Sequence, residues 1–141
     1  MGVRRDPRRR LGMAMVEMVI IAPLLLMMIF AIAEFGVMFG RWQNLSNAAR
    51  EGARAAVVFR STCNTAAVET EVRNRVKTYA ASLGMTVADG DITITGTCGG
   101  SGTNAIINVT HAHSFSVLPN LANSLSSTIN LVGSSTMRNE G

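Results

Sequence analysis

The chain has 141 residues, enough for one small domain with accessory segments, and its net charge of +4 is not evenly spread. Arg4, Arg5, Arg8, Arg9 and Arg10 against Asp6 put the whole excess in the first ten residues, so the pI near 10.0 belongs to the tail. A nucleic-acid-binding domain spreads Lys and Arg over a folded face, which excludes that class; an Arg cluster directly before an apolar run instead marks the side of a membrane where that end is retained.

In chain order, Met1 to Leu11 is polar and Arg-rich and reads as disordered. Met18 to Ala33 holds no charge, and the apolar character continues to Phe39, interrupted by Glu34. A spanning helix needs about 20 apolar residues, and Met18 to Phe39 supplies them if Glu34 lies near the outer interface. Nine strongly apolar residues there contribute about −3 to −5 kcal/mol of insertion free energy, enough to outweigh one acid near either end. Trp42 follows where an interfacial aromatic is expected.

Gln43 to Phe59 is rich in helix formers, with Gly52 a weak point, so one helix is expected from about Met13 to Phe59. Pro23 inside it removes a backbone hydrogen bond and predicts a kink or local break. Ser61 to Thr65 reads as a turn. A second helix is expected over about Ala66 to Leu83, where Val68, Val72, Val76, Tyr79 and Leu83 form an apolar face. Glu69, Glu71, Arg73, Arg75 and Lys77 occupy its other sides. Asn64 or Thr65 can cap its start and Gly84 can end it.

Beyond Gly84 the period changes to two. Asp91 to Thr95 reads as a short strand, Gly96 to Asn104 as a glycine-rich loop, and about Ala105 to Val117 as a longer strand. That strand carries Ile107, Val109, His111, His113, Phe115 and Val117 on one face. Leu118 and Pro119 end it, Asn120 to Ser127 connects, and Ile129 to Met137 can form a last strand. The fold class expected is α+β: a long N-terminal transmembrane helix, a second amphipathic helix, and a small antiparallel sheet of about three strands covered on one face by helix.

Cys63 and Cys98 lack the spacing of a zinc or thioredoxin-like motif. Both follow the hydrophobic run, so a disulfide is permitted if that region is extracytoplasmic; the alternative is two separate buried thiols. His111 and His113 share a strand face, but with no carboxylate or Cys near in sequence a half-buried strand face is favoured over a metal site. No nucleophile triad, phosphate loop or acid pair is present, so neither an enzyme nor a cofactor is expected.

Several stretches together resemble the TadE-like proteins, minor pseudopilins of tight-adherence (Tad, or Flp) pili, a type IV pilus subclass. They are Leu11-Gly12-Met13-Ala14-Met15-Val16-Glu17, Pro23-Leu24-Leu25-Leu26, Glu34-Phe35-Gly36, and Asn47-Ala48-Ala49-Arg50-Glu51-Gly52-Ala53-Arg54. The specific part covers about Gly12 to Arg54; the rest is similar only in character. The resemblance implies a pilin-like fold and cleavage by a prepilin peptidase between Gly12 and Met13. Glu17 then lies five residues into the mature chain, with Met18 where an aromatic often follows. It also implies assembly with other pilins and the Tad machinery through the apolar helix.

Physical chemistry adds to that. A membrane-embedded acid such as Glu17 is a functional candidate by default, and its natural partner is the amine that cleavage would free on Met13 of a neighbouring subunit; the alternative is an acid snorkelling to headgroups. Gly36 and Gly40 have the spacing that lets helices approach closely, although such spacing is common by chance. The residues assigned to assembly are therefore Glu17, Pro23, Gly36 and Gly40. Residues 1–12 form a basic cytoplasmic leader, 13–59 the long helix with an extracytoplasmic extension, and 60–141 a small extracytoplasmic domain. The expected setting is the bacterial inner membrane with the N-terminus cytoplasmic. Two rival readings are a plain membrane-anchored binding or adhesion domain, and a domain released by signal peptidase after Ala31-Ile32-Ala33.

Overall fold

A computed structural model describes residues 7–58, 63–115 and 128–139, with side chains described from Gly12 onward. The turn expected around Ser61, Val117, and the connector Asn120 to Ser127 lie outside the described residues. The elements run α1 (Pro7–Val57), α2 (Thr65–Ser82), a 3-10 turn (Asp89–Asp91), β1 (Ile92–Thr95), β2 (Asn104–Ser114) and β3 (Thr128–Arg138). This is the α+β arrangement expected: a long apolar N-terminal helix, a second helix and a three-stranded antiparallel sheet.

The chain divides into two compact units, residues 1–36 with 115–127, and residues 37–114 with 128–141. Among the described residues the first is essentially the apolar part of α1. Its helix begins at Pro7, inside the segment expected to be disordered. Proline suits the first helical turn, where its missing N–H is not needed and its φ is already helical, and Arg8, Arg9, Arg10 and Leu11 are good helix formers. The helix also continues through Pro23 rather than ending there.

The second unit is a sheet with helices on one face. The sheet order is β1-β2-β3, all antiparallel, with Ile92 opposite Val109, and Val109 opposite Gly133. The core joins Leu45, Ala48, Ala49, Ala53 and Ala56 of α1 to Val68, Val72, Val76 and Ala80 of α2, and both sets to Ile92, Ala105, Ile107, Val109 and Leu131 of the sheet. In α2 the buried face follows the expected valines, then passes to Ala80; Tyr79 is half-buried and Leu83, past the helix end, is exposed. Asn64 caps α2 by accepting the Ala67 N–H at 3.3 Å.

Two glycines set how closely these layers approach. A Cβ on Gly52 would lie 2.6 Å from Val76 Cγ2, so the residue that weakens α1 as an isolated helix lets α2 pack against it. A Cβ on Gly133 would lie 2.5 Å from the Leu45 carbonyl oxygen and 2.6 Å from the Ser46 nitrogen, so β3 rests directly on the α1 backbone.

Polar groups fix the remaining geometry. The Trp42 indole donates to the Val132 carbonyl at 3.1 Å. Arg41 Nη1 donates to His113 Nδ1 at 2.9 Å. Arg73, expected on a solvated side of α2, is half-buried; it donates to the Ile92 carbonyl at 2.8 Å and to the Asp89 carbonyl. Asn139 is buried, and its Nδ2 donates to Thr103 Oγ1 at 2.8 Å and to the Gly96 carbonyl at 3.2 Å, holding the β1–β2 loop to the end of β3. Cys63 and Cys98 form a disulfide with Cα atoms 5.7 Å apart, joining the start of α2 to that loop.

Candidate membrane and assembly helix

From Gly12 to Phe39 no residue of α1 is buried. Met13 is 74 % exposed, Val19 70 % and Leu24 68 %, and Ile20, Leu26, Ile29, Ile32 and Phe35 are also bare. A core helix of a soluble protein covers such side chains. This one leaves them uncovered and is long and apolar enough to cross a membrane. The uncharged run Met18 to Ala33 rises about 24 Å, and Met18 to Phe39 about 33 Å, against a hydrocarbon core of about 30 Å.

The residues singled out for processing and assembly lie on this bare stretch or, for Gly40, directly after it. Gly12, Met13, Glu17, Pro23, Gly36 and Gly40 are exposed. A Cβ added at Gly12, Gly36 or Gly40 would meet nothing within 4 Å, so no contact with another described element explains those three glycines. Met13 and Glu17 are four residues apart, one helical turn. The geometry thus supplies an acid near the start of an apolar rod, with small residues near its C-terminal end.

The character of α1 changes at Met38 to Trp42. Met38 packs against the core, the rings of Phe39 and Trp42 meet at a tilt with centroids 5.6 Å apart, and Leu45 is fully buried. From there the small residues Ala48, Ala49, Gly52, Ala53 and Ala56 face inward while Arg50 and Arg54 face out. One helix therefore combines an uncovered apolar rod with the central strut of the folded unit.

Residues 12–54 match the family of TadE-like proteins. The TadE-like segment lies entirely on α1, ending three residues before the helix does. It takes in both the bare rod and the turns that build the core, and leaves out α2 and the sheet. The match suggests a Tad pilus-associated protein. No curated protein and no solved structure matches the chain.

His111 and His113 are placed by the strand. His113 is buried against Arg41 and His111 is half-buried. Among the described residues no three His, Cys, Asp or Glu side chains group as metal ligands. The surface ion pairs belong to the fold: Arg75 with Glu51 at 3.5 Å, and Lys77 with Asp89 at 2.9 Å. The hydrogen bond from Lys77, reinforced by the charges of Lys77 and Arg73, holds the Asp89 carboxyl below its ordinary 3.8.

Sequence reasoning missed the strut. Gly133, Arg41 and Asn139 act through partners far away in the chain, and nothing local marks them. The one available signal was the alanine-rich run after Asn47, which favours close packing as well as helix.

Proposed function

We propose that this chain is a minor pilin-like structural subunit of a tight-adherence pilus, held by α1 in the inner membrane and assembling through that helix. The observation that carries the reading is the uncovered apolar rod from Met13 to Phe39 inside the TadE-like segment, in a chain whose other apolar groups are largely packed. The Arg-rich leader keeps the N-terminus cytoplasmic. The disulfide between Cys63 and Cys98 fits a domain outside the membrane, in an oxidising compartment.

In this reading a prepilin-type peptidase cuts between Gly12 and Met13. Removing the leader deletes the charge that anchors the segment and leaves an ammonium on Met13. An ammonium among apolar helices is costly unless paired. Glu17 of a neighbouring subunit provides the carboxylate, and removing one partner of such a pair typically costs about 3–5 kcal/mol. Pro23, Gly36 and Gly40 shape the helix for close neighbours. The partners are other pilins or pseudopilins and the Tad assembly machinery.

Two substitutions test it in cells making Tad pili. Gly12→Trp is expected to leave the leader attached and the full-length chain in the membrane. Glu17→Ala is expected to be cut normally but to lose co-purification with the pilus chains. Normal piliation and co-purification with Glu17→Ala would overturn the pairing.

A further inference from the structure

The folded unit leaves one charged face without a role in its own stability. Gly40, Gln43, Asn47, Arg50 and Arg54 follow one another at spacings of three and four, and fall within about 80° of one side of α1. This is the side opposite Leu45, Ala49, Gly52 and Ala56. Among the described residues Arg50 bonds only to Asn47, on its own helix, at 3.3 Å. Arg54 is exposed and makes no hydrogen bond or ion pair with any described residue. Beside the stripe runs a groove of about 460 Å³ lined by Trp42, Gln43, Ser46, Asn47, Arg50 and Ser134.

We propose that this stripe docks a helix of a different pilin-like chain that presents two carboxylates about one turn apart, opposite Arg50 and Arg54. The proposal rests on the assembly reading above and adds the partner's chemistry. Three observations select that occupant.

The first is that the unit's own carboxylates are engaged. Glu51 pairs with Arg75, Asp89 pairs with Lys77, Asp91 accepts the Ala88 N–H at 3.2 Å, and Glu71 has a partner as well. Among the described residues that leaves Glu69, a single half-buried acid that cannot answer two arginines.

The second concerns self-pairing. Two copies anchored in one membrane run parallel, so packing stripe on stripe in register sets Arg50 against Arg50 and Arg54 against Arg54. Like charges placed together at an interface penalise that arrangement and favour an acidic stranger.

The third concerns lipid. With Trp42 at the interface, Arg50 and Arg54 rise about 12 and 18 Å beyond it. The headgroup layer adds only about 5–8 Å outside the hydrocarbon. Arg54 therefore stands clear of the headgroups and Arg50 only at the limit of its side chain's reach toward them, so a protein carboxylate answers the pair better than a lipid phosphate does. A partner helix seated at Gly40 passes Asn47, Arg50 and Arg54 in turn, so the carboxylates set its register.

The test uses full-length protein in piliated cells. A photocrosslinking residue at Asn47 is expected to join the chain to a different pilin-like protein through a helix bearing neighbouring Asp or Glu. Arg50→Glu with Arg54→Glu is expected to lower co-purification of that protein about tenfold or more, with the chain still inserted and its disulfide formed. Reversing the partner's two carboxylates to Lys should restore it. Crosslinking to a second copy or to phospholipid, or wild-type recovery with the double reversal, would overturn the proposal. If Glu17→Ala abolishes co-purification while the double reversal does not, only this inference fails; if neither does, the assembly reading fails with it.

Discussion

Gly133→Ala is the most demanding perturbation of the folded unit. The added Cβ meets the Leu45 carbonyl oxygen at 2.5 Å and the Ser46 nitrogen at 2.6 Å, both backbone atoms of a helix that cannot rotate aside. Ordinary contact needs nearly 1 Å more, so β3 must lift from α1. That movement disturbs the bond from Trp42 to Val132 and the burial of Leu131 and Val109, which lie beside or opposite the site. Overpacking typically costs about 1–3 kcal/mol and sometimes more; the upper end applies because nothing flexible can yield. Replacing glycine in a strand returns about 0.5–1 kcal/mol. The expected net loss is about 2–3 kcal/mol, on the order of 10–20 °C in Tm for a unit of this size. Trp42 is the only tryptophan and touches β3, so its fluorescence reports the unfolding directly in full-length protein in detergent. Gly100→Ala, whose Cβ meets nothing within 4 Å, is the control and should change stability by less than about 0.5 kcal/mol. A Gly133→Ala protein as stable as the control would refute the direct seating of β3 on the helix.

Three further outcomes follow from the same contacts. Replacing Cys63 and Cys98 by Ser removes a crosslink spanning 35 residues and should cost roughly 3–4 kcal/mol, read from the same unfolding curves; a loss below about 1 kcal/mol would contradict it. Gly52→Ala gains about 1 kcal/mol of helix propensity but drives a Cβ into the buried Val76, so it should destabilise on balance, and less so when combined with Val76→Ala. Asp89 should titrate below 3.8 by NMR and move up in Lys77→Met; because its folded pKa is depressed, the small contribution of this exposed pair is present above the unfolded value and fades as pH falls through the folded one.

Much of the fold was legible because its signals are local. The bare rod follows from an uncharged run, α2 from valines four residues apart, and the sheet from alternation around Ile107 and Val109. The errors have physical causes. Arg8 to Leu11 read as disordered on charge alone, although Pro7 starts a helix well. Gly52 read as a weakness because a glycine's worth depends on what packs against it, and Val76 is 24 positions away. The bond between Arg41 and His113 crosses 72 positions and those of Asn139 cross 36 and 43, beyond the reach of any period. In the candidate site, Gly12 and Glu17 were singled out through the resemblance, with charge adding to Glu17, and Gly36 and Gly40 by their spacing. The outward stripe of Arg50 and Arg54 emerged only once the buried side of α1 was known.

The mature N-terminus decides most directly whether the chain is processed as a pilin-like subunit. Intact mass spectrometry of the chain taken from membranes of piliated cells reads it in one measurement. A chain beginning at Met13 is the predicted result, with the arginine-rich leader gone and Glu17 one turn from a free amine. A mature chain that begins at Met1, or at Glu34 after the Ala31-Ile32-Ala33 site, would contradict the pilin-like account.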